Sequence, residues 1–198
     1  MSKSLFVVFE GIDGSGKSSV MRALTERLPA EMDIILTAEP SDGPIGRMLR
    51  EEMEELPPLA ETLLFVADRA QHTAQIEEWL AEGHSVLCDR YYSSTLAYQS
   101  SALEGPSGDL NWLWEVNRPV ILEPDLTILL DLDPATSLAR TKGRDHVSKF
   151  EEEDFLGRVR QRYLDLAKER GFTVIDASAS PAEVLAAAEA AIIERMEE

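Results

Sequence analysis

The sequence predicts a doubly wound α/β fold: a five-stranded parallel sheet with helices on both of its faces. Two observations lead there. Short apolar runs recur along the chain as unbroken stretches rather than alternating ones, which marks strands buried on both faces. Helix-like segments lie between them, as the crossovers of a parallel sheet require. The 198 residues suit one domain with a full hydrophobic core. No repeat, linker or low-complexity tract divides the chain, so a single domain over residues 1–198 is expected.

The elements follow in order. Leu5–Phe9 (LFVVF) reads as a buried strand, followed by a glycine-rich loop and a helix near Lys17–Leu28. Asp33–Leu36 reads as a second strand and Gly46–Glu55 as a helix, which Pro57-Pro58 ends. A long helix near Leu59–Glu82 stops at Gly83, the residue type that most easily takes the left-handed conformation after a helix. Ser85–Cys88 (SVLC) is a third strand. Helices are expected near Ser94–Ala102 and Leu110–Asn117, with the turn-rich Glu104–Asp109 between them. Leu126–Leu132 (LTILLDL) and Phe172–Ile175 complete the strands. The last helix has a written start: Ser180 as cap, Pro181 in the first turn, and Glu183 to close a capping box. The acidic runs Glu51–Glu55 and Glu151–Asp154 read as solvated helix faces.

Composition excludes several functions. Apolar residues make up 44% of the chain, and none of their runs approaches the roughly 18 residues of a membrane span. Cys88 is the one cysteine, so no intrachain disulfide can form. With no secretory leader legible at Met1–Ser4, a cytoplasmic protein is expected. Asp and Glu number 37 against 19 Lys and Arg, a net charge of −18. Such a surface repels nucleic acid and anionic lipid, and neither is expected as a partner.

Gly11-Ile12-Asp13-Gly14-Ser15-Gly16-Lys17-Ser18 fits the pattern G-x-x-x-x-G-K-[ST]. Its glycines let backbone N–H groups turn inward around phosphate oxygens, and the following helix aims its positive end at the same place. The motif comes directly after a strand and directly before a helix, as that mechanism demands. Residues Gly11 to Ser19 are thus expected to bind ATP, with Lys17 reaching the β- and γ-phosphates and Ser18 ligating Mg²⁺. Asp13 sits inside the loop, where an acid must either cap the turn or meet a cation or an acceptor hydroxyl. Asp89 and Arg90 follow the third strand, and ligands gather at the carboxyl ends of strands in parallel sheets. Asp89 is expected to hold Mg²⁺ through water, and Arg90 an acceptor phosphate. The segment Arg140–Lys149 (RTKGRDHVSK) carries four of the Lys and Arg side chains of this acidic chain, apart from Lys17 and Arg90. Cations there would stabilise charge on a transferring phosphoryl group. Size and layout suit a small-molecule kinase.

The chain resembles the thymidylate kinases, P-loop nucleoside monophosphate kinases, nearly end to end. The likeness rests on Phe6–Ser18 (FVVFEGIDGSGKS), Thr37–Pro40 (TAEP), Leu63–Arg69 (LLFVADR), Asp89–Gln99 (DRYYSSTLAYQ), Pro124–Thr127 (PDLT), Lys149–Glu151 (KFE) and Ile175–Ala177 (IDA). The segment beginning Asp89-Arg90-Tyr91 is the most specific of these. The resemblance implies transfer of the ATP γ-phosphoryl group to dTMP, giving dTDP and ADP. It implies that Phe65 stacks on the thymine and that Arg69, one helical turn on, bonds a base carbonyl. Thr95 and Gln99, also four apart, would read the pyrimidine edge, with Ser94 beside them, and Tyr98 would pack on the sugar and disfavour a 2′-hydroxyl. Arg90 and Arg50 would clamp the acceptor phosphate, and Glu39 would help order Mg²⁺ and the acceptor end. With no basic residue at 13–15, catalytic cations would come from a lid at about 140–150. Lys17, Arg90, Asp13 and Arg144 are the expected catalytic groups, with Arg140 and Lys149 in support. The family also suggests a homodimer; Leu64, Ile76 and Trp79 on the long helix would serve a dimer contact or a core equally well.

Some positions depart from the family pattern. Ala38 stands where bacterial members commonly have Arg, Ser41-Asp42 replaces a Gly-Gly pair, and Ser93 replaces a common Asp. Lys149 matches a position often held by Arg, whose bidentate fork Lys lacks. Two readings rival dTMP kinase activity. One is a kinase for dUMP, UMP or CMP, since a single methyl in a pocket is worth only about 1–3 kcal/mol. The other is a regulator that binds ATP without turning it over.

Overall fold

The computed structural model describes residues 4–52, 56–103, 105–141 and 149–198. Five strands form one parallel sheet: β1 (Phe6–Glu10), β2 (Ile34–Ala38), β3 (Ser85–Asp89), β4 (Leu126–Asp131) and β5 (Thr173–Asp176), in spatial order β2-β3-β1-β4-β5. Eight α-helices flank it among the described residues: α1 (Lys17–Leu24), α2 (Pro44–Glu52), α3 (Pro58–Glu82), α4 (Tyr92–Ala102), α5 (Leu110–Asn117), α6 (Pro134–Thr141), α7 (Lys149–Arg170) and α8 (Pro181–Glu197). The predicted fold class and strand count hold. Two helices, α6 and most of α7, were not expected from the sequence. Their apolar residues are sparse because both helices carry a large polar face, and only Pro134 and Ser137 of α6 are buried.

β1 runs through the centre of the sheet and divides the core. Leu5, Val7 and Phe9 face a cluster built with Val20, Met21 and Leu24 of α1 and Val184, Ala188 and Ile192 of α8. Phe6 and Val8 face the opposite cluster, with Ile76 of α3, Leu96 of α4 and Leu113 of α5. This alternation follows from the two-residue period of a strand. It explains why the central strands read as unbroken apolar runs. The edge strands β2 and β5 are only partly covered, and Leu36 and Val174 are exposed at 39% and 48%.

Element boundaries are set by local chemistry. α3 ends at Gly83, with φ +100°. At the start of α8 the Ser180 hydroxyl accepts from Glu183 N–H while the Glu183 carboxylate accepts from Ser180 N–H, the predicted capping box. α1 is one turn shorter than expected, because residues 25–28 leave the helix as a turn that buries Leu28. α2 begins two residues earlier than expected, at Pro44, which suits a first helical position. Ile76 is fully buried in the core, so the part of the expected dimer face that rests on it is withdrawn. Leu59 and Leu63 remain exposed on α3, at 41% and 46%. No described helix is long and apolar enough to cross a membrane.

Candidate active site

The loops after β1 and β3 meet at the carboxyl edge of the sheet. These neighbouring strands send their chains to opposite edges of the sheet, the arrangement that opens a crevice for ligands. Gly11 turns the chain out of β1 with φ +141°, and a Cβ there would lie 2.6 Å from the Leu130 carbonyl oxygen. Gly16 enters α1 with φ +93°. The Lys17 side chain folds back over the loop, donating to the carbonyls of Gly11 at 2.9 Å and Ile12 at 3.2 Å, and lies 4.0 Å from Asp89. Burial lowers its pKa to about 8, with the Arg90 charge acting in the same direction. Ser18 Oγ donates to Asp89 Oδ2 at 2.5 Å.

α6 backs this loop. Ser137 Oγ donates to the Asp13 carbonyl at 2.6 Å, and a Cβ on Gly14 would stand 3.1 Å from the Ser137 carbonyl oxygen. Arg140 donates to the carbonyls of Gly14 and Ala177, both at 3.2 Å. It joins the loop to the segment after β5. Arg144 and residues 142–148 of the expected lid lie outside the described residues, and Lys149 opens α7.

Arg90 occupies the turn between β3 and α4 with φ +71°. Its guanidinium donates to Asp13 Oδ1 at 2.8 Å and Ser94 Oγ at 3.3 Å, and lies 5.0 Å above the Tyr98 ring. Beside it opens a cavity of about 340 Å³. Glu39, Phe65, Arg69, Ser94, Thr95, Tyr98 and Gln99 line this cavity together with Asp13 and Arg90. Eight of the nine residues expected to bind substrate thus share one space. The ninth, Arg50, holds the turn after β2: it donates to the carbonyls of Pro40 at 2.6 Å and Ser41 at 2.7 Å and to Asp42 Oδ1 at 2.9 Å.

A buried polar network fixes the far side of the cavity. Arg69, only 1% exposed, donates to Asn117 Oδ1, to Glu39 Oε2 at 2.6 Å and to Thr95 Oγ1 at 3.0 Å, and lies 5.3 Å above the Tyr91 ring. His72 joins Glu39, 3.2 Å from Nδ1, to the Thr37 hydroxyl, 2.7 Å from Nε2. Asp68 accepts from Ser41 N–H at 2.7 Å and from the Ser41 hydroxyl at 2.6 Å. Ser41 and Asp42, which replace the family's glycines, are therefore both engaged in shaping this turn. Arg69 Nε is buried without a hydrogen-bond partner.

Sequence reasoning missed five residues of this architecture: Glu10, Asp68, His72, Asn117 and Tyr163. Glu10 had a signal, an acid closing a wholly apolar strand, which must be paired when buried. Asp68 and His72 also had one, as polar groups four apart on a helix that carries Phe65 and Arg69. Asn117 and Tyr163 lie 48 and 69 residues from their partners Arg69 and Ser94, so nothing local announces them.

Comparisons with known proteins bear on the family of the chain. A family model described as thymidylate kinase matches residues 9–188. A probable thymidylate kinase of Pyrobaculum calidifontis is 42% identical over 195 residues, 96% of each chain. One of Methanocaldococcus jannaschii is 42% identical over 179 residues, 89% of this chain and 88% of its own. A thymidylate kinase of Bifidobacterium longum is 40% identical over 204 residues, 96% of this chain and 98% of its own.

Proposed function

From the premise that the chain belongs to the thymidylate kinase family, we propose how its residues divide the work of the reaction. That reaction is ATP-dependent phosphorylation of dTMP, giving dTDP and ADP. An oxygen of the dTMP phosphate attacks the γ-phosphorus of ATP, and the bond from that phosphorus to the β–γ bridging oxygen breaks. The protein's part is positioning and charge stabilisation.

The observation that carries the division of roles is the cavity beside the phosphate loop, which has Arg90 where it meets Asp13 and Arg69 at its buried side. The backbone N–H groups of Gly11 to Ser19 cradle the ATP phosphates, and Lys17 moves from the carbonyls of Gly11 and Ile12 to the β- and γ-phosphates. Arg90 binds the phosphate of dTMP. Arg50 joins it, since a phosphate dianion is a stronger acceptor than the two carbonyls and the exposed Asp42 that it now bonds. Phe65 stacks on thymine, and Arg69, which lines the cavity and uses three of its five N–H groups on Asn117, Glu39 and Thr95, offers a remaining one to a base carbonyl. Thr95 and Gln99 lie one helical turn apart on the pyrimidine edge. Tyr98, held edge-on by Phe155 and Tyr163 with ring centroids 6.2 and 6.3 Å away, closes the sugar side.

Ser18 and Asp89 suit Mg²⁺. They offer a hydroxyl and a carboxylate in contact, and among the described residues no cluster of three or more His, Cys, Asp or Glu side chains competes with them. Mg²⁺ is commonly held by one or two side-chain oxygens together with water and phosphates. When bound it would neutralise charge on the phosphate oxygens. Arg144, in the cationic segment, is assigned to the transferring phosphoryl group.

The test is ADP release with ATP and Mg²⁺ and each of dTMP, dUMP, UMP, CMP and AMP. The highest kcat/KM is expected for dTMP, over dUMP by roughly 5- to 150-fold, the worth of one buried methyl. A higher value for another nucleotide would remove Phe65, Arg69, Thr95 and Gln99 from base reading. We also propose that the chain forms a homodimer through α3, where Leu59 and Leu63 expose apolar surface at adjacent helical positions. Light scattering coupled to gel filtration should give twice the 22.0 kDa chain mass. Leu63→Glu should return it to the monomer, and a monomeric wild type would dismiss the contact.

A further inference from the structure

Glu10 is the last residue of β1 and is completely buried, yet no step of the reaction described above uses it. It follows Phe9 in the strand and therefore shares the face of Phe6 and Val8, toward α4. Its Oε1 accepts from the backbone N–H of Tyr91 at 3.0 Å and of Ser94 at 3.2 Å. Its Oε2 accepts from the Ser94 hydroxyl at 2.6 Å and the Tyr163 hydroxyl at 3.1 Å, and those two hydroxyls lie 2.7 Å apart. Four donors from two distant parts of the chain thus converge on one carboxylate.

Those donors identify what Glu10 does. Tyr91 N–H and Ser94 N–H belong to the entry of α4: Tyr91 N–H precedes the first helical residue, and Ser94 N–H is shared between Glu10 and the Tyr91 carbonyl at 3.0 Å. No side chain of the local cap residue Tyr91 satisfies them. Glu10 therefore caps α4 from another element, and its negative charge stands at the positive end of that helix. The residue just before this turn is Arg90, held at φ +71° while its own N–H bonds the Phe9 carbonyl at 2.9 Å. An arginine takes that backbone conformation only where its surroundings enforce it. The bonds on either side of it, to Phe9 O and from Tyr91 N–H to Glu10, enforce it here. Tyr163 brings α7, the helix that follows the cationic segment, onto the same carboxylate.

We propose that Glu10 is a positioning residue for phosphoryl transfer: its carboxylate holds the Arg90 turn and the first turn of α4 in register with the phosphate loop and with α7. The proposal rests on the assignment of Arg90 to the dTMP phosphate. The ionised carboxylate is the working form, because both of its oxygens then accept without competition and its charge faces the Arg90 guanidinium. Burial lifts the Glu10 pKa to about 7, against the pull of the Ser94 hydroxyl, the Arg90 charge and the Tyr163 hydroxyl. The titratable groups that sense its charge are Lys17 at the start of α1, Cys88 on β3, Arg90 in the turn before α4, Tyr92 and Tyr98 on α4, and Tyr163 on α7. Activity toward dTMP should therefore fall as pH drops through about 7. This fall lies above the phosphate's own second ionisation near 6.

Glu10→Gln tests the role, since the amide keeps the volume and one acceptor but loses the charge. The expected result is a drop in kcat/KM for dTMP on the order of 100-fold, the cost of slightly misplacing a reacting group, with KM for ATP within about twofold of wild type. The acid limb near pH 7 should vanish, while the limb due to the dTMP phosphate stays. Tyr163→Phe removes one donor and keeps the carboxylate, so its limb should move to higher pH at a nearly normal plateau. A lower plateau with an unchanged limb would mean that Glu10 only supports the fold, and an unchanged plateau and limb would mean that it does nothing here; either overturns the proposal. If Glu10→Gln does not fold, judged by its circular dichroism and melting, the direction of the Tyr163→Phe shift decides alone, and a limb that stays put refutes the idea. Arg90→Ala, run alongside, separates this proposal from its premise. If it leaves kcat/KM for dTMP unchanged, the acceptor assignment fails and the Glu10 role fails with it. If it lowers that value while Glu10→Gln matches wild type, only the Glu10 role is lost.

Discussion

Lys17→Ala is expected to lower kcat on the order of 10³-fold without lowering thermal stability. The activity loss follows from removing a fixed cation aimed at the β- and γ-phosphates, a type of group whose removal alone costs about 10²–10³. The stability claim follows from its surroundings. Lys17 is buried and its pKa is held down at about 8, so its charged form is less favourable in the folded chain than in the unfolded one. An unfolded lysine titrates near 10.4. Between pH 8 and that value the unfolded chain binds more protons, so stability attributable to this group rises with pH across the window. The variant should lack that rise. A coupled ADP-release assay reads the first effect, and chemical denaturation at pH 7 and pH 9.5 reads the second. Retained turnover would remove Lys17 from the chemistry. A large loss of stability would mean that the inactivity was unfolding. Arg144→Ala is a useful contrast, because a lid cation should lower kcat far more than it raises KM for dTMP.

Glu39→Gln should destabilise the fold by about 3–5 kcal/mol, the usual cost of leaving a buried charge without its partner. Arg69 and Glu39 are 1% and 5% exposed, and their 2.6 Å contact places the carboxylate against a guanidinium whose remaining partners, Asn117 and Thr95, are neutral. For a chain of this size the melting temperature should fall by roughly 10 °C. The double variant Glu39→Gln/Arg69→Met should recover much of that loss, because both members of the pair are then uncharged. It should not recover dTMP turnover, since the Arg69 N–H groups are gone. A Glu39→Gln protein that melts with the wild type would show that His72 or solvent compensates the charge, and the pair would cease to explain the rigidity of the cavity wall.

The two variants probe parts of the molecule that differ in how far they are legible in the chain. The loop from Gly11 to Ser18 is a local object. Its conformation depends on glycines, its cation is the next residue, and its helix follows at once, so the chemistry is written in eight consecutive residues. The five strands, the Gly83 stop and the Ser180–Glu183 box are legible for the same reason: burial on both faces, positive φ and end capping each act within a few residues. The acceptor cavity was reached by resemblance, residue by residue, and the structure then gathered all but Arg50 of that set into one space.

What no local pattern contains is the joinery between distant segments. Glu10 meets Ser94 and Tyr163, Arg69 meets Asn117, and Ser41 meets Asp68, at separations from 27 to 153 residues. Each is a buried polar group that must find a partner once water is excluded. Which partner it finds depends on strand order and helix packing, and hydrophobic periodicity does not encode either. The P-loop chemistry was therefore determined by neighbours in the chain. The orientation of Arg90, the fixing of Arg69 and the loss of Ile76 to the core were decided only when β1, α3, α4 and α7 came together, because burial turns each unpaired polar group into a demand that tertiary contacts alone can meet.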